Sequence, residues 1–143
     1  MTPLASTQVR GGPGSAAAPD RTAAKLLIVL VASFATLVPG GPVETRDFSA
    51  LGGAVFWGFN LVLISLAVLA IASAIALLRG QTRAAWGAIA AAWGYIFVVL
   101  LDLGHVFPTT PDPIPLALGL IEILDLMLAA YVIALGHRAL GQF

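Results

Sequence analysis

In this chain of 143 residues, 59% are hydrophobic, 10% are charged and the mean hydropathy is +0.99. Soluble domains carry roughly 25% charged residues, so this composition cannot cover a water-facing surface and excludes an ordinary soluble fold. Seven basic and seven acidic side chains cancel to a formal charge of +0, which leaves no field to attract nucleic acid, and the absence of cysteine removes disulfides and thiolate chemistry.

Residues 1–19 are rich in Gly, Pro, Ala and Ser without apolar periodicity, and are expected to form a disordered cytoplasmic tail. From 20 to 143 the long apolar blocks predict a single all-α domain, an integral membrane four-helix bundle with spans at about 21–38, 52–78, 84–103 and 116–135. The first span has Asp20 at its N-cap, stops at Pro39-Gly40-Gly41-Pro42, and reaches about 27 Å at the helical rise. A cleaved signal peptide is the alternative reading of that block, although the lead before Lys25 is long for the charged region of a leader.

The second block is longer than the hydrocarbon core requires and is expected to tilt before the basic loop Arg79-Gly80-Gln81-Thr82-Arg83 closes it. The third carries small residues four apart: Ala84, Ala88 and Ala92 on one row, with Gly87/Ala91 and Ala90/Gly94 beside it. Such rows let helix backbones approach closely in lipid, which places this helix at the centre of the bundle. Weaker pairs, including Ala54/Gly58, occur on the second. Pro108, Pro111, Pro113 and Pro115 then stiffen the connection to the last span. Trp86 and Phe143 on one side, with Phe48, Phe56, Trp57 and Phe107 on the other, suit interfacial anchoring, whereas Tyr95 near mid-span needs a hydrogen-bond partner.

Basic residues alternate between the ends of the spans. Arg10, Arg21, Lys25, Arg79, Arg83 and Arg138 fall on one side and Arg46 alone on the other, which predicts cytoplasmic termini and outward-facing loops 39–51 and 104–115 in the cell membrane.

Chemistry is expected where polar groups enter the apolar blocks. Glu122 and Asp125 share one face of the fourth span, about 9 and 13 Å deep, and Asn60 of the second lies at a matching depth of about 12 Å. Buried carboxylates demand compensation. Arg46 could fold down with its loop as a counter-ion, the pair could share a proton, or a cation could bind with Asn60 completing an oxygen shell. Asp102 and His105 form a secondary candidate site at the outer interface. Their D-x-x-H spacing offers metal-ligand types with a single histidine, so whether a metal binds stays open. Nothing calls for a cofactor, and no nucleophile–base pair or phosphate loop supports enzymatic activity.

The leading expectation is a small multi-pass membrane protein that binds or moves a proton, a cation or a small cationic solute through Glu122, Asp125, Asn60 and Arg46. The alternative is an accessory subunit of a membrane complex in which the same contacts lock the bundle. Beyond the lipid bilayer, a homo-oligomer or a larger complex is the expected partner.

Overall fold

The computed structural model describes residues 18–141, so most of the expected tail at 1–19, and Phe143, lie outside the described residues. Four helices make the fold: α1 Ala18–Leu37, α2 Gly53–Leu78, α3 Ala85–Leu103 and α4 Leu116–Leu140, with single 3-10 turns at Ser49–Leu51 and Thr82–Ala84.

Three segments, Gly53–Leu78, Thr82–Leu103 and Leu116–Leu140, are long and apolar enough to cross a membrane, which points to a membrane protein. α1 does not qualify by its own composition. Asp20, Arg21 and Lys25 occupy its first turns, and the apolar run that follows, Leu26 to Leu37, reaches only about 18 Å at helical rise, against a hydrocarbon core of about 30 Å. Its buried residues, Asp20, Ala23, Ala24, Leu27, Leu30, Phe34 and Leu37, repeat every three or four positions and so form one inward stripe. α2, by contrast, is apolar on every face, and many of its large side chains, Trp57 among them, point outward.

The helices form a closed ring. α3 packs on α2 and α4, α1 packs on α2 and α4, and the diagonal pair α1 and α3 touch little. α3 buries more of itself than α2 or α4 do, yet it occupies a corner of the ring instead of the expected centre. Its small residues act as expected. A Cβ on Gly87 would lie 2.4 Å from Ser73 Oγ of α2, and one on Gly94 would lie 2.3 Å from Leu66 Cδ2. The pair Ala54/Gly58 instead faces outward, with open space beside Gly58.

Backbone chemistry sets the helix ends. At the end of α1, Val38-Pro39-Gly40-Gly41 forms a tight turn in which Gly41 N–H donates to Val38 O at 2.7 Å. Gly40 has φ +89°, the type II geometry that Pro followed by Gly favours. A Cβ on Gly41 would sit 2.6 Å from Thr36 O and 2.8 Å from Val38 O, both backbone atoms. Gly41→Ala is therefore expected to destabilise the protein by about 1–3 kcal/mol, measured as a lower unfolding midpoint in detergent; an unchanged midpoint would mean that this corner yields freely.

α2 ends in a Schellman motif. Gly80 has φ +78° and donates to Leu77 O at 3.0 Å, while Gln81 N–H donates to Ala76 O at 3.0 Å. α3 ends the same way, but with His105 in the glycine position: φ is +52°, its N–H reaches Asp102 O at 2.8 Å, and Val106 N–H reaches Leu101 O at 2.9 Å. α4 runs to Leu140, five residues past its expected end. Gly136 lies inside the helix, and a Cβ there would meet Ile89 Cγ1 at 2.7 Å, so the close packing of α3 on α4 uses its missing side chain.

Candidate functional site

The segment after the α1 turn is extended, so alternate side chains face opposite ways. Glu44 and Arg46 turn inward and are buried, while Thr45 and Asp47 face out. Val43 N–H donates to Thr36 O at 3.2 Å, which folds this strap back over the bundle. Asp47 N–H donates to Asp112 Oδ2 at 3.0 Å and so pins the strap to the loop before α4. The Asp47 carboxylate accepts from Ser49 N–H and from the Ser49 hydroxyl, and these two bonds hold it below the ordinary aspartate range.

Arg46 is the hub. Its Nε donates to Glu44 Oε1 at 2.9 Å and its Nη2 pairs with Glu44 Oε2, while Nη1 and Nη2 each donate to Asp102 at 2.8 Å, a two-pronged clasp on the last turn of α3. The guanidinium also lies 5.4 Å from the centre of the Phe48 ring. The hydrogen bonds to Glu44 push the arginine above its ordinary range, burial opposes them, and Asp102 adds to the rise.

Glu122 completes the cluster from α4. Its carboxyl lies within electrostatic reach of Asp102, Arg46 and Glu44, and its Oε2 is buried without a hydrogen-bond partner among the described residues. The four side chains line a cavity of about 30 Å³, walled by residues such as Phe34, Leu63, Val98 and Pro108. That is room for about two water molecules.

Asp125, one turn further along α4, belongs to a separate centre. Ser33 Oγ of α1 donates to its Oδ2 at 3.0 Å, and its Oδ1 is buried without a hydrogen-bond partner among the described residues. Tyr95 of α3 lies within electrostatic range of Asp125 and packs on Phe34 with ring centres 4.5 Å apart. The partner expected for its hydroxyl is not found among the described residues. A third polar contact closes the opposite end of the bundle, where Thr82 Oγ1 donates to Asp20 Oδ2 at 3.1 Å. Asp20 sits inside the first turn of α1 instead of capping it.

The expected site therefore divides. Arg46 engages Glu44 and Asp102, with Glu122 beside them, and does not bridge Glu122 to Asp125. Asp102 moves from secondary candidate to the heart of the cluster. Asn60 does not hydrogen-bond Asp125; its Nδ2 donates to Phe56 O at 2.9 Å. His105 is exposed and serves the α3 terminus. Among the described residues, no three His, Asp or Glu side chains are grouped as a metal ion requires. Glu44, Ser33 and Tyr95 are the participants that spacing alone did not assign to a site. The alternation in Glu44-Thr45-Arg46-Asp47 was the available signal for the first.

No curated protein and no solved structure matches this sequence. A family model does match, over residues 19–142, and the chain belongs to that family, described as a domain of unknown function, DUF8051.

Proposed function

We propose that this is a four-span protein of the cell membrane that binds and passes protons at the carboxyl groups of Asp102, Glu122 and Asp125. The strap at 39–51 and the loop at 104–115 face outward and both termini are cytoplasmic, a reading supported by the placement of Lys and Arg along the chain. α1 is the fourth span, carried by its neighbours.

The observation behind this reading is an excess of buried acid. Arg46 already serves Glu44 and Asp102, and Glu122, within electrostatic reach of Asp102, has no further cation paired with it among the described residues. A proton is the smallest charge that settles such a cluster, and the geometry favours it over a multiply coordinated metal ion. Asp125, one helical turn deeper with a free buried oxygen, is the next acceptor inward. Arg46 acts as the counter-ion that holds the outer end shut.

The test is proton flux into sealed vesicles carrying the purified protein, followed with an internal pH dye. Glu122→Gln and Asp125→Asn are each expected to reduce flux at least tenfold while the protein still purifies as a folded species. Wild-type vesicles no leakier than protein-free ones would reject the reading.

A second reading, an accessory subunit whose buried ion pairs only lock the bundle, draws support from the double engagement of Arg46. It requires the same substitutions to lower stability without revealing any flux.

A further inference from the structure

Arg79 and Arg83 stand exposed in the loop that joins α2 to α3, and neither forms an ion pair among the described residues. The hydrogen bond from Thr82 to Asp20 ties this loop to the start of α1, and Gly136 brings the end of α4 against Ala85 and Ile89 at the start of α3. Lys25 and Arg138 are exposed near the same end. Asp20, the one acidic side chain there among the described residues, is 1% exposed, so the charged side chains on the surface of this end are all basic.

From Arg83 the exposed residues run on along α3 as Trp86, Ala90, Trp93, Phe97 and Leu100. Steps of three and four make them a single outward stripe, between the flanks that pack on α2 and α4. Trp86 and Trp93 are 62% and 57% exposed. They stand about 10 Å apart along the axis, and the small Ala90 between them leaves a notch walled by two indoles. Trp93 lies about 15 Å from Arg83 along the helix, near the middle of a hydrocarbon core of about 30 Å, whereas tryptophan is ordinarily enriched at the interface. An indole at that depth faces acyl chains.

We propose that this stripe binds one anionic phospholipid, with its phosphate held by Arg79 and Arg83, an ester carbonyl at the Trp86 indole N–H and one acyl chain lying in the notch at Ala90 against Trp93. Charge complementarity selects this occupant. The planar fork of arginine suits a phosphate, and a zwitterionic lipid brings its own cation, which two unpaired arginines repel. The Trp86 indole N–H has no hydrogen-bond partner among the described residues and is free to donate. The inference rests on the membrane placement of α2 and α3 and not on proton handling by the acid cluster.

The test uses the full-length protein carrying Trp57→Phe, which leaves Trp86 and Trp93 as its only tryptophans. It is reconstituted in phosphatidylcholine vesicles at low ionic strength. Brominated phosphatidylcholine or brominated phosphatidylglycerol then replaces the host lipid in rising proportion, and quenching of tryptophan fluorescence by bromine reports which lipid lies on the stripe. Brominated phosphatidylglycerol is expected to bind about tenfold better, the scale set by two arginines near an anionic surface. Arg79→Gln combined with Arg83→Gln should bring the two lipids level, and because both side chains are exposed the fold should persist. Arg138→Gln removes a like charge from the same end and should keep the preference. So should Glu122→Gln, which separates this test from that of proton flux. Equal quenching by the two lipids in the Trp57→Phe chain, a preference that survives the double arginine change, or one that Arg138→Gln removes as fully, would overturn the proposal.

Discussion

Replacing Arg46 with Met is expected to destabilise the protein by about 3–5 kcal/mol, the range seen when one partner of a buried ion pair is removed. The guanidinium is nearly inaccessible, and its loss strands Glu44 and Asp102 beside Glu122 in the same cavity. Uncompensated buried charge is what makes such losses large, and burial of the Met side chain cannot offset it. Adding Glu44→Gln and Asp102→Asn to the Arg46→Met chain should therefore recover most of the loss, since neutral amides can remain hydrogen-bonded. Arg46→Lys should fall between, because an ammonium keeps the charge but cannot grip two carboxylates with a planar fork. Denaturant unfolding of the purified variants in micelles measures all three. Wild-type stability in Arg46→Met alone would mean that the strap closes nothing.

The opposite sign is expected at the second acidic centre. Asp125 is fully buried, has one oxygen unpartnered, and takes a single hydrogen bond from Ser33. Removing both polar partners together leaves no orphan behind, so Ser33→Ala combined with Asp125→Val is expected to raise stability by about 1–3 kcal/mol. The same pair should eliminate proton flux. Stability gained while activity is lost is the usual mark of a group kept for function. If the double variant instead lost stability, Asp125 would be part of the scaffold and the accessory reading would gain. The two acids of one helix face thus separate by environment: one stands beside a saturated cation, the other beside a hydroxyl and an idle phenol.

Much of the fold was legible because apolar length and turn chemistry act locally. The expected limits 52–78, 84–103 and 116–135 meet Gly53–Leu78, Ala85–Leu103 and Leu116–Leu140 closely. The one large error, at Gly136, arose because a glycine near a helix end reads as a stop. Here the glycine serves close packing against Ile89 on a neighbouring helix, which is a tertiary demand that no local pattern records.

The residues of the site were legible, but the direction of their side chains was not. Asn60 and Asp125 were paired by counting residues along their helices, yet α2 is apolar all round and its sequence does not say which face turns inward. Asn60 instead donates to Phe56 O of its own helix. Arg46 was singled out as the one cation of the loops at 39–51 and 104–115, but its partners depended on the strap bringing Glu44 alongside it and on α3 stopping just after Asp102. The stop itself relies on His105 taking a conformation that glycine normally supplies, so no sequence rule for helix ends announced it.

The ring closes α1 between α2 and α4, and α1 carries a polar contact at its start, another at Ser33 and, just past its end, the strap. Three charges in its opening turns leave it too little oiliness to hold a place in hydrocarbon alone. Under the proposed four-span reading its residence is a property of the assembled chain: translocation machinery meeting this segment first would find a weak candidate for insertion, made permanent only when the last helix arrives beside it. Any partial unfolding should begin with this helix slipping out, which would uncover Asp125.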